Sequence, residues 1–317
     1  IADFERIVEV LRKYNIDTMF YIGGNDSMDT VAALSEYATA NNITDLRFVG
    51  CPKTVDNDLM VTDHCPGFGS AAKFIANTAL QTWLDVNVYT RQEVFVLETM
   101  GRDAGWLAAS SCLSGIVDVL LLPEVAFNKE LFLAQVKKHI DTKNKCYVVV
   151  SEGVKYPDGS YLAAGEAKND GFGHAVLGGA GQAVRQLILD SGVASRVKVQ
   201  DLSTAQRCHS TDQSLVDVEE SFKLGMSAHM RSMSKSFTGQ MVGVKRVSNA
   251  PYNVEYFATK ASNVANHVKN FPLEWMLPDY AGITQEAHDY MRPLINGSPV
   301  IIYNEGVQAY LKPLYFK

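Results

Sequence analysis

The chain has 317 residues and a mass of 34.9 kDa, more than the about 250–300 residues that one hydrophobic core normally supports, so we expect two domains. Apolar residues make up 47% and charged residues 20%, a balance that excludes a disordered or fibrous chain. The net charge of −6 argues against nucleic-acid and anionic-membrane partners, and no stretch approaches the about 18 consecutive apolar residues of a membrane span.

Strands and helices alternate along most of the chain. Short β-branched runs predict strands at residues 18–22, 46–50, 94–99, 117–122, 145–151, 197–202 and 241–247. Helical spacing predicts helices from residue 3 onward and at residues 27–41, 69–84, 103–114, 129–141, 174–191 and 213–233. The alternation predicts parallel sheets with helices on both faces, hence an α/β fold of two doubly wound, Rossmann-like, three-layer domains.

Cysteine usage indicates the compartment. The five cysteines are few, odd in number and widely spaced, which is typical of neither a disulfide framework nor a zinc site. We therefore expect a reducing, cytoplasmic environment.

Polar or glycine-rich clusters follow five of the predicted strands. They are Gly23 to Ser27, Pro52 to Asp58, Met100 to Asp103, Ser151 to Gly153 and Thr204 to Arg207. In open α/β sheets, ligands bind at the carboxyl ends of the strands, so the five clusters predict one site.

The first cluster has the features of a phosphate site that works with a cation. Gly23 and Gly24 allow backbone N–H groups to approach a phosphate, although a tight strand-to-helix turn would need the same glycines. Asn25 and Asp26 carry acceptor oxygens that repel phosphate unless a cation intervenes, which indicates Mg²⁺.

The other clusters carry acid–base and phosphate-binding groups. Asp56 and Asp58 lie two residues apart, so one can act as a general base while the other serves the metal or orients its neighbour. A solvated Asx-turn cluster is the alternative. Lys53 can stabilise developing phosphoryl charge, and the guanidinium groups of Arg102 and Arg207 suit a phosphate monoester. Together these groups indicate phosphoryl transfer to a phosphorylated sugar. Glu152 could accept hydrogen bonds from the sugar hydroxyls.

The order of the motifs GGNDS, PKTVDND, MGRDAGW, SEG and QR resembles the 6-phosphofructokinase family over most of the chain. The resemblance implies that Asp56 accepts the C1 hydroxyl proton of fructose 6-phosphate and that Asn25 lies near Mg²⁺. It implies a substrate site formed by Thr54, Val55, Met100, Gly101, Arg102, Glu152, Thr204 and Arg207. It also implies a homodimer or homotetramer with inter-subunit active sites.

The identity of the donor is predicted from two positions. Asp26 and Lys53 resemble the pyrophosphate-dependent branch, and a carboxylate at Asp26 would repel the α-phosphate of a nucleotide. The implied reaction is a reversible glycolytic transfer with Asp26, Lys53, Asp56 and Asp58 as catalytic residues and Gly23, Gly24 and Ser27 at the donor. An ATP-dependent 6-phosphofructokinase and a non-catalytic, phosphosugar-sensing regulatory subunit are the alternatives.

Three departures from the family pattern qualify these expectations. Asn25 stands where aspartate is commoner, and Glu93 stands where an inter-subunit arginine is expected, with Arg91 nearby. The family's first βαβ unit is absent, so the chain is expected to start about 70–100 residues into the family's length. We expect a phosphoryl-donor domain of residues 1–68 and 213–285, and a fructose 6-phosphate domain of residues 69–212 and 286–317.

Overall fold

The computed structural model describes residues 2–163 and 177–310. The α-helices are α1 (Ala2–Lys13), α2 (Asn25–Ala40), α3 (Phe68–Asn87), α4 (Trp106–Ser110), α5 (Lys129–Lys143), α6 (Ala180–Ser191), α7 (Ala205–Cys208), α8 (Leu215–Ser232) and α9 (Gln285–Met291). The strands are β1 (Thr18–Gly23), β2 (Arg47–Pro52), β3 (Glu93–Thr99), β4 (Val119–Leu121), β5 (Lys145–Ser151), β6 (Val197–Asp201), β7 (Gln240–Asn249), β8 (Tyr252–Lys260), β9 (Tyr303–Asn304) and β10 (Val307–Gln308). None of these helices is long and apolar enough to cross a membrane.

The first sheet has the strand order β1-β2-β7-β8, and only the β7–β8 pair is antiparallel. Met28, Val31 and Leu34 of α2 pack in a core on one face. Leu224 and Ala228 of α8 pack with Val49 of β2 on the other face. The sheet is therefore the middle of three layers.

The second sheet has the order β4-β5-β3-β6, and all its pairs are parallel. The side chains of β3 and β5 are buried throughout, as expected for strands covered on both faces. Helices α3, α4 and α9 contribute to the core on one face, while α5 and α6 contribute to the core on the other. The prediction of an α/β fold with parallel sheets is confirmed.

Two predicted helices begin three or more residues later in the structure than expected. The helix expected at 103–114 begins at Trp106 and continues as a 3₁₀ turn at Ser111–Ser114. For the helix expected at 174–191, residues 174–176 lie outside the described residues, and α6 begins at Ala180. The carboxylate of Glu98 accepts hydrogen bonds from the backbone N–H groups of Gly179, Ala180 and Gly181, and thereby fixes that start.

The region after residue 247 contains elements that the sequence analysis missed. Strand β8 forms a hairpin with β7, and its inward face carries the alternating Val254, Tyr256 and Ala258. Helix α9 contributes Ala287 and Met291 to the core that also contains residues of α3 and Phe271. The predicted domain division stays a prediction. It assigns Phe271 to the phosphoryl-donor domain, whereas Phe271 packs in the core of the second sheet.

Candidate functional site

The predicted site residues lie at the carboxyl ends of the parallel strands, as the topology requires. Gly23 ends β1 and pairs with Pro52 at the end of β2, and the backbone N–H of Lys53 donates to Gly23 O at 2.9 Å. Residues 100–103 follow β3, Glu152 follows β5, and Thr204 and Arg207 follow β6. The first two loops come from the first sheet and the other three from the second sheet, so the site is shared between the two sheets.

Asp56 has the most unusual environment of the predicted residues. Its Oδ2 atom accepts a hydrogen bond from Thr54 Oγ1 at 3.3 Å, while its Oδ1 atom is buried with no hydrogen-bond partner among the described residues. Burial raises the pKa of Asp56, against the bond from Thr54 and the charges of Arg102, Arg207 and Lys53. A carboxylate with a free oxygen and a raised pKa is suited to accept a proton.

Asp58 lies on the same loop, and the charge of Asp56 affects its pKa. Burial, followed by the negative charge of Asp56, raises the pKa of Asp58 to about 6. Asn57 between them is fully buried in a left-handed conformation (φ 55°), and its Oδ1 atom accepts from the N–H of Cys65 at 2.9 Å. The fixed turn at Asn57 sets the directions in which the two carboxylates leave the loop.

The loops after β3 and β5 are bonded together. The N–H of Gly101 donates to Glu152 Oε1 at 3.3 Å, and Ser151 Oγ donates to Gly101 O at 2.6 Å. Gly101 has φ 128°, and a Cβ there would lie 2.6 Å from Ala104 O, so only glycine fits. Burial raises the pKa of Glu152 to about 7.

The loop after β6 is tied to the same group by a residue that the sequence analysis did not select. The buried Gln206 accepts from the N–H of Met100 at 3.2 Å and donates to Ser203 O at 3.0 Å. Thr204 and Arg207 flank it and are exposed. Gln206 stands beside Arg207 in the QR motif, which was the available signal.

The donor loop leads directly into α2. Gly23 has no room for a side chain, because a Cβ would lie 2.0 Å from Ser27 Oγ, and Gly24 is the residue before the helix. Asp26 is exposed in the first turn of α2. A cavity of about 540 Å³ lies at the ends of β1 and β2, and Lys53, Val55 and Arg207 line it.

Asn25 has contacts that differ from its predicted role. Its amide nitrogen donates to His267 O at 2.6 Å, and its amide oxygen accepts from the N–H of Asn266 at 2.5 Å. A carboxamide pairs with a main-chain donor and acceptor in this way, whereas a carboxylate has no donor for His267. These bonds favour a structural role for Asn25, and its ligation of Mg²⁺ stays a prediction.

The carboxylates of the second loop fit a cation better than Asn25 does. Asp56 has a buried oxygen with no hydrogen-bond partner among the described residues, and Asp58 is a neighbouring carboxylate that makes no ion pair within the described part of the chain. The described residues contain no group of three or more His, Cys, Asp or Glu side chains able to hold a metal by themselves. Mg²⁺ commonly uses one or two carboxylates together with substrate phosphates, and these residues fit that arrangement.

A family model described as phosphofructokinase matches residues 2–230. The chain therefore belongs to the phosphofructokinase family. It is similar to the pyrophosphate–fructose 6-phosphate 1-phosphotransferases of Xanthomonas campestris (37% identity, 98% of this chain and 75% of that protein) and Methylococcus capsulatus (38% identity, 98% and 74%). A solved structure of pyrophosphate-dependent phosphofructokinase from Nitrosospira multiformis matches with a TM-score of 0.86 at 33% identity, over all of this chain and 79% of that one.

The raised pKa of Glu152 predicts a pH-dependent cost to stability. Its folded-state pKa of about 7 lies above the ordinary value of 4.5, so the stability tied to the protonated form is complete below 4.5 and lost as the pH rises through 7. We expect the Tm of Glu152→Gln, measured without substrate, to exceed that of the wild type by a margin that grows as the pH rises from about 5 to 8. Glu130→Gln, at an exposed position on α5, is the control. A Tm difference for Glu152→Gln that does not change with pH would contradict the assignment.

Proposed function

We propose that this chain transfers a phosphoryl group from pyrophosphate to the C1 hydroxyl of fructose 6-phosphate, giving fructose 1,6-bisphosphate and phosphate. The carboxylate of Asp56 carries the proposal, because its Oδ1 atom is buried without a partner among the described residues. Lys53, Arg102 and Arg207 direct positive charge at that carboxylate. The names of the similar proteins from Xanthomonas and Methylococcus support the same donor and acceptor.

The chemistry follows from the environment of Asp56. The C1 hydroxyl gives its proton to the Asp56 carboxylate while its oxygen forms a bond to phosphorus, and the bond from that phosphorus to the leaving phosphate breaks. The positive charge of Lys53 stabilises the negative charge that accumulates on the leaving phosphate. Thr54, which bonds to the other oxygen of Asp56, holds the carboxylate in place.

The loops of the second sheet would hold the sugar phosphate. Arg102 and Arg207 offer guanidinium forks for the 6-phosphate, and Thr204 stands one turn from Arg207. The backbone of Met100 and Gly101 lies beside Glu152. The carboxyl group of Glu152 would accept hydrogen bonds from the sugar hydroxyls. Val55 completes the acceptor site.

We assign the cation to the second loop and the donor. Asp58 would hold Mg²⁺ together with oxygens of pyrophosphate, and Asn25 supports the neighbouring backbone. When bound, the ion neutralises charge on the phosphate oxygens. Gly23, Gly24 and Ser27 would bind the donor at the start of α2.

The proposal extends to setting and assembly. We infer a cytoplasmic enzyme that acts as a homodimer or homotetramer with active sites completed between subunits, and we assign the donor to the domain of the first sheet. The intact pair of Asp56 and Asp58 argues against the regulatory-subunit alternative, because binding alone requires no base.

The donor prediction is tested by a double-mutant cycle. We expect the wild type to prefer pyrophosphate over ATP, Asp26→Gly to admit ATP, and Lys53→Gly to cost mainly pyrophosphate turnover by about 10²–10³-fold. Both side chains act on the same donor, so their effects should be non-additive. The measurement is kcat/KM for both donors in the four proteins. A wild type that prefers ATP would establish the ATP-dependent alternative instead.

The base assignment is tested by Asp56→Asn, which keeps the shape of the side chain and removes its basicity. We expect kcat to fall by about 10²–10⁴-fold while the Kd for fructose 6-phosphate stays nearly unchanged. Asp141→Asn, at an exposed ion pair on α5, is the control. Turnover of Asp56→Asn close to that of the wild type would remove Asp56 from the mechanism, and a collapse of sugar affinity would make it a binding group.

A further inference from the structure

A short segment after β8 contacts, in succession, the start of α2, the loop of Asp56 and Asp58, and the start of α4. We call residues 266–271 the strap. At its start, the N–H of Asn266 donates to the side chain of Asn25 and the carbonyl of His267 accepts from it. The side chain of Asn266 also donates to Asp29 Oδ1 at 2.9 Å on α2. The strap thus fixes the first two turns of α2, directly after the donor loop.

The middle of the strap is bonded to the loop that carries Asp56 and Asp58. The N–H of Lys269 donates to Asp58 O at 2.7 Å, and Val268 forms an antiparallel bridge with Leu59. These bonds are made by the main chain, so they set the path of the loop backbone directly after the two carboxylates.

The end of the strap reaches the start of α4 and the residue Glu124, which follows β4. The carbonyl of Lys269 accepts from Trp106 Nε1 at 2.8 Å. The N–H of Phe271 donates to Glu124 Oε1 at 2.7 Å, and the same oxygen accepts from the N–H of Gly105 at 2.8 Å. Elements of the first and second sheets are therefore joined through six consecutive residues.

The ammonium group of Lys269 turns back beneath the loop of Asp56 and Asp58. Its Nζ atom donates to Asp63 O at 2.8 Å, to Thr62 O at 3.2 Å and to Asn57 Oδ1 at 3.4 Å. It also lies 5.3 Å from the ring centroid of Trp106. Its three acceptors are uncharged, and burial lowers the pKa of Lys269, so the arrangement is costly for a cation.

We infer that Lys269 is a positioning residue, which through Asn57 and the backbone of Asp58 holds the two carboxylates in their working geometry. The inference rests on the proposed phosphoryl transfer. Asn57 lies between Asp56 and Asp58, so a bond to its side chain acts on both neighbours at once. Misplacement of a catalytic group by about 1 Å can cost about 10²-fold in rate, which sets the size of the expected effect.

Lys73 provides a matched control. Its Nζ atom also donates to uncharged oxygens, namely Gln213 O at 3.1 Å, Ser298 Oγ at 2.6 Å and Gly297 O at 2.5 Å. Lys73 lies on α3, and these three partners are outside the loop of Asp56 and Asp58. Substitution of either lysine by methionine removes similar hydrogen bonds, but only one of the two changes acts on the carboxylates.

The test is the purified protein with Lys269→Met, Lys73→Met, and Lys269→Met combined with Asp56→Asn. We expect Lys269→Met to lower kcat with pyrophosphate by about 10²-fold and to leave KM for fructose 6-phosphate within about threefold. In the Asp56→Asn background the same change should cost clearly less than it does in the wild type, because one of the two carboxylates that it positions has lost its function. Lys269→Gln, which keeps a hydrogen-bond donor, should recover part of the rate and replaces methionine if that variant does not fold.

Hydrogen–deuterium exchange separates this inference from the proposed function. Residues 53–65 should exchange faster in Lys269→Met, but not in Lys73→Met, whether or not the wild type transfers phosphoryl groups. A wild type inactive with pyrophosphate would overturn the proposed function. With an active wild type, a kcat of Lys269→Met within threefold of it or equal to that of Lys73→Met would overturn the positioning role. An equal fold-loss of kcat in the Asp56→Asn background, or unchanged amide exchange of residues 53–65 in Lys269→Met, would overturn it as well.

Discussion

The burial of one carboxylate oxygen of Asp56, which has no hydrogen-bond partner among the described residues, is the constraint around which the site is arranged. An unpartnered buried polar group costs about 1–3 kcal/mol, and more when it is charged, so such a group persists only where its surroundings hold it there. Thr54 bonds to the second oxygen, and Lys53, Arg102 and Arg207 supply opposing charge. In the proposed reaction, this oxygen accepts the proton of the substrate hydroxyl.

The topology explains how those charges come together. Lys53 follows β2 of the first sheet, whereas Arg102 and Arg207 follow β3 and β6 of the second. Because parallel strands present their carboxyl ends at one edge, each sheet offers several loops to a shared site. Neither sheet alone provides both the carboxylate and the two arginines, so the proposed chemistry requires loops of both sheets. The strap, residues 266–271, joins elements of the two sheets.

Local patterns predicted most of the framework. Fully buried β-branched strands such as β3 and β5 leave a strong signal, and the loops that follow them are rich in glycine and charge. The chain's membership of the phosphofructokinase family agrees with the motifs of those loops. The roles of individual residues within them are still predictions.

The missed features share a physical reason. The strap has no helical or strand periodicity, and it acts mainly through main-chain bonds, which side-chain patterns do not encode. Lys269 resembles any surface lysine in the sequence, because its burial depends on partners such as Asn57, which is 212 residues away. Asn25 was interpreted from its acceptor oxygen alone, whereas its donor nitrogen also has a partner, the carbonyl of His267.

The central claim is that the site moves a phosphoryl group between pyrophosphate and a sugar, and does not release it to water. Phosphorus NMR of the wild type with Mg²⁺ measures this directly, starting once from fructose 6-phosphate with pyrophosphate and once from fructose 1,6-bisphosphate with phosphate. The account predicts that both mixtures reach the same mass-action ratio, which is the product of the concentrations of fructose 1,6-bisphosphate and phosphate divided by that of fructose 6-phosphate and pyrophosphate. Pyrophosphate should therefore appear in the second mixture. Phosphate release without a second sugar phosphoester in the first mixture, or no pyrophosphate in the second, would contradict it.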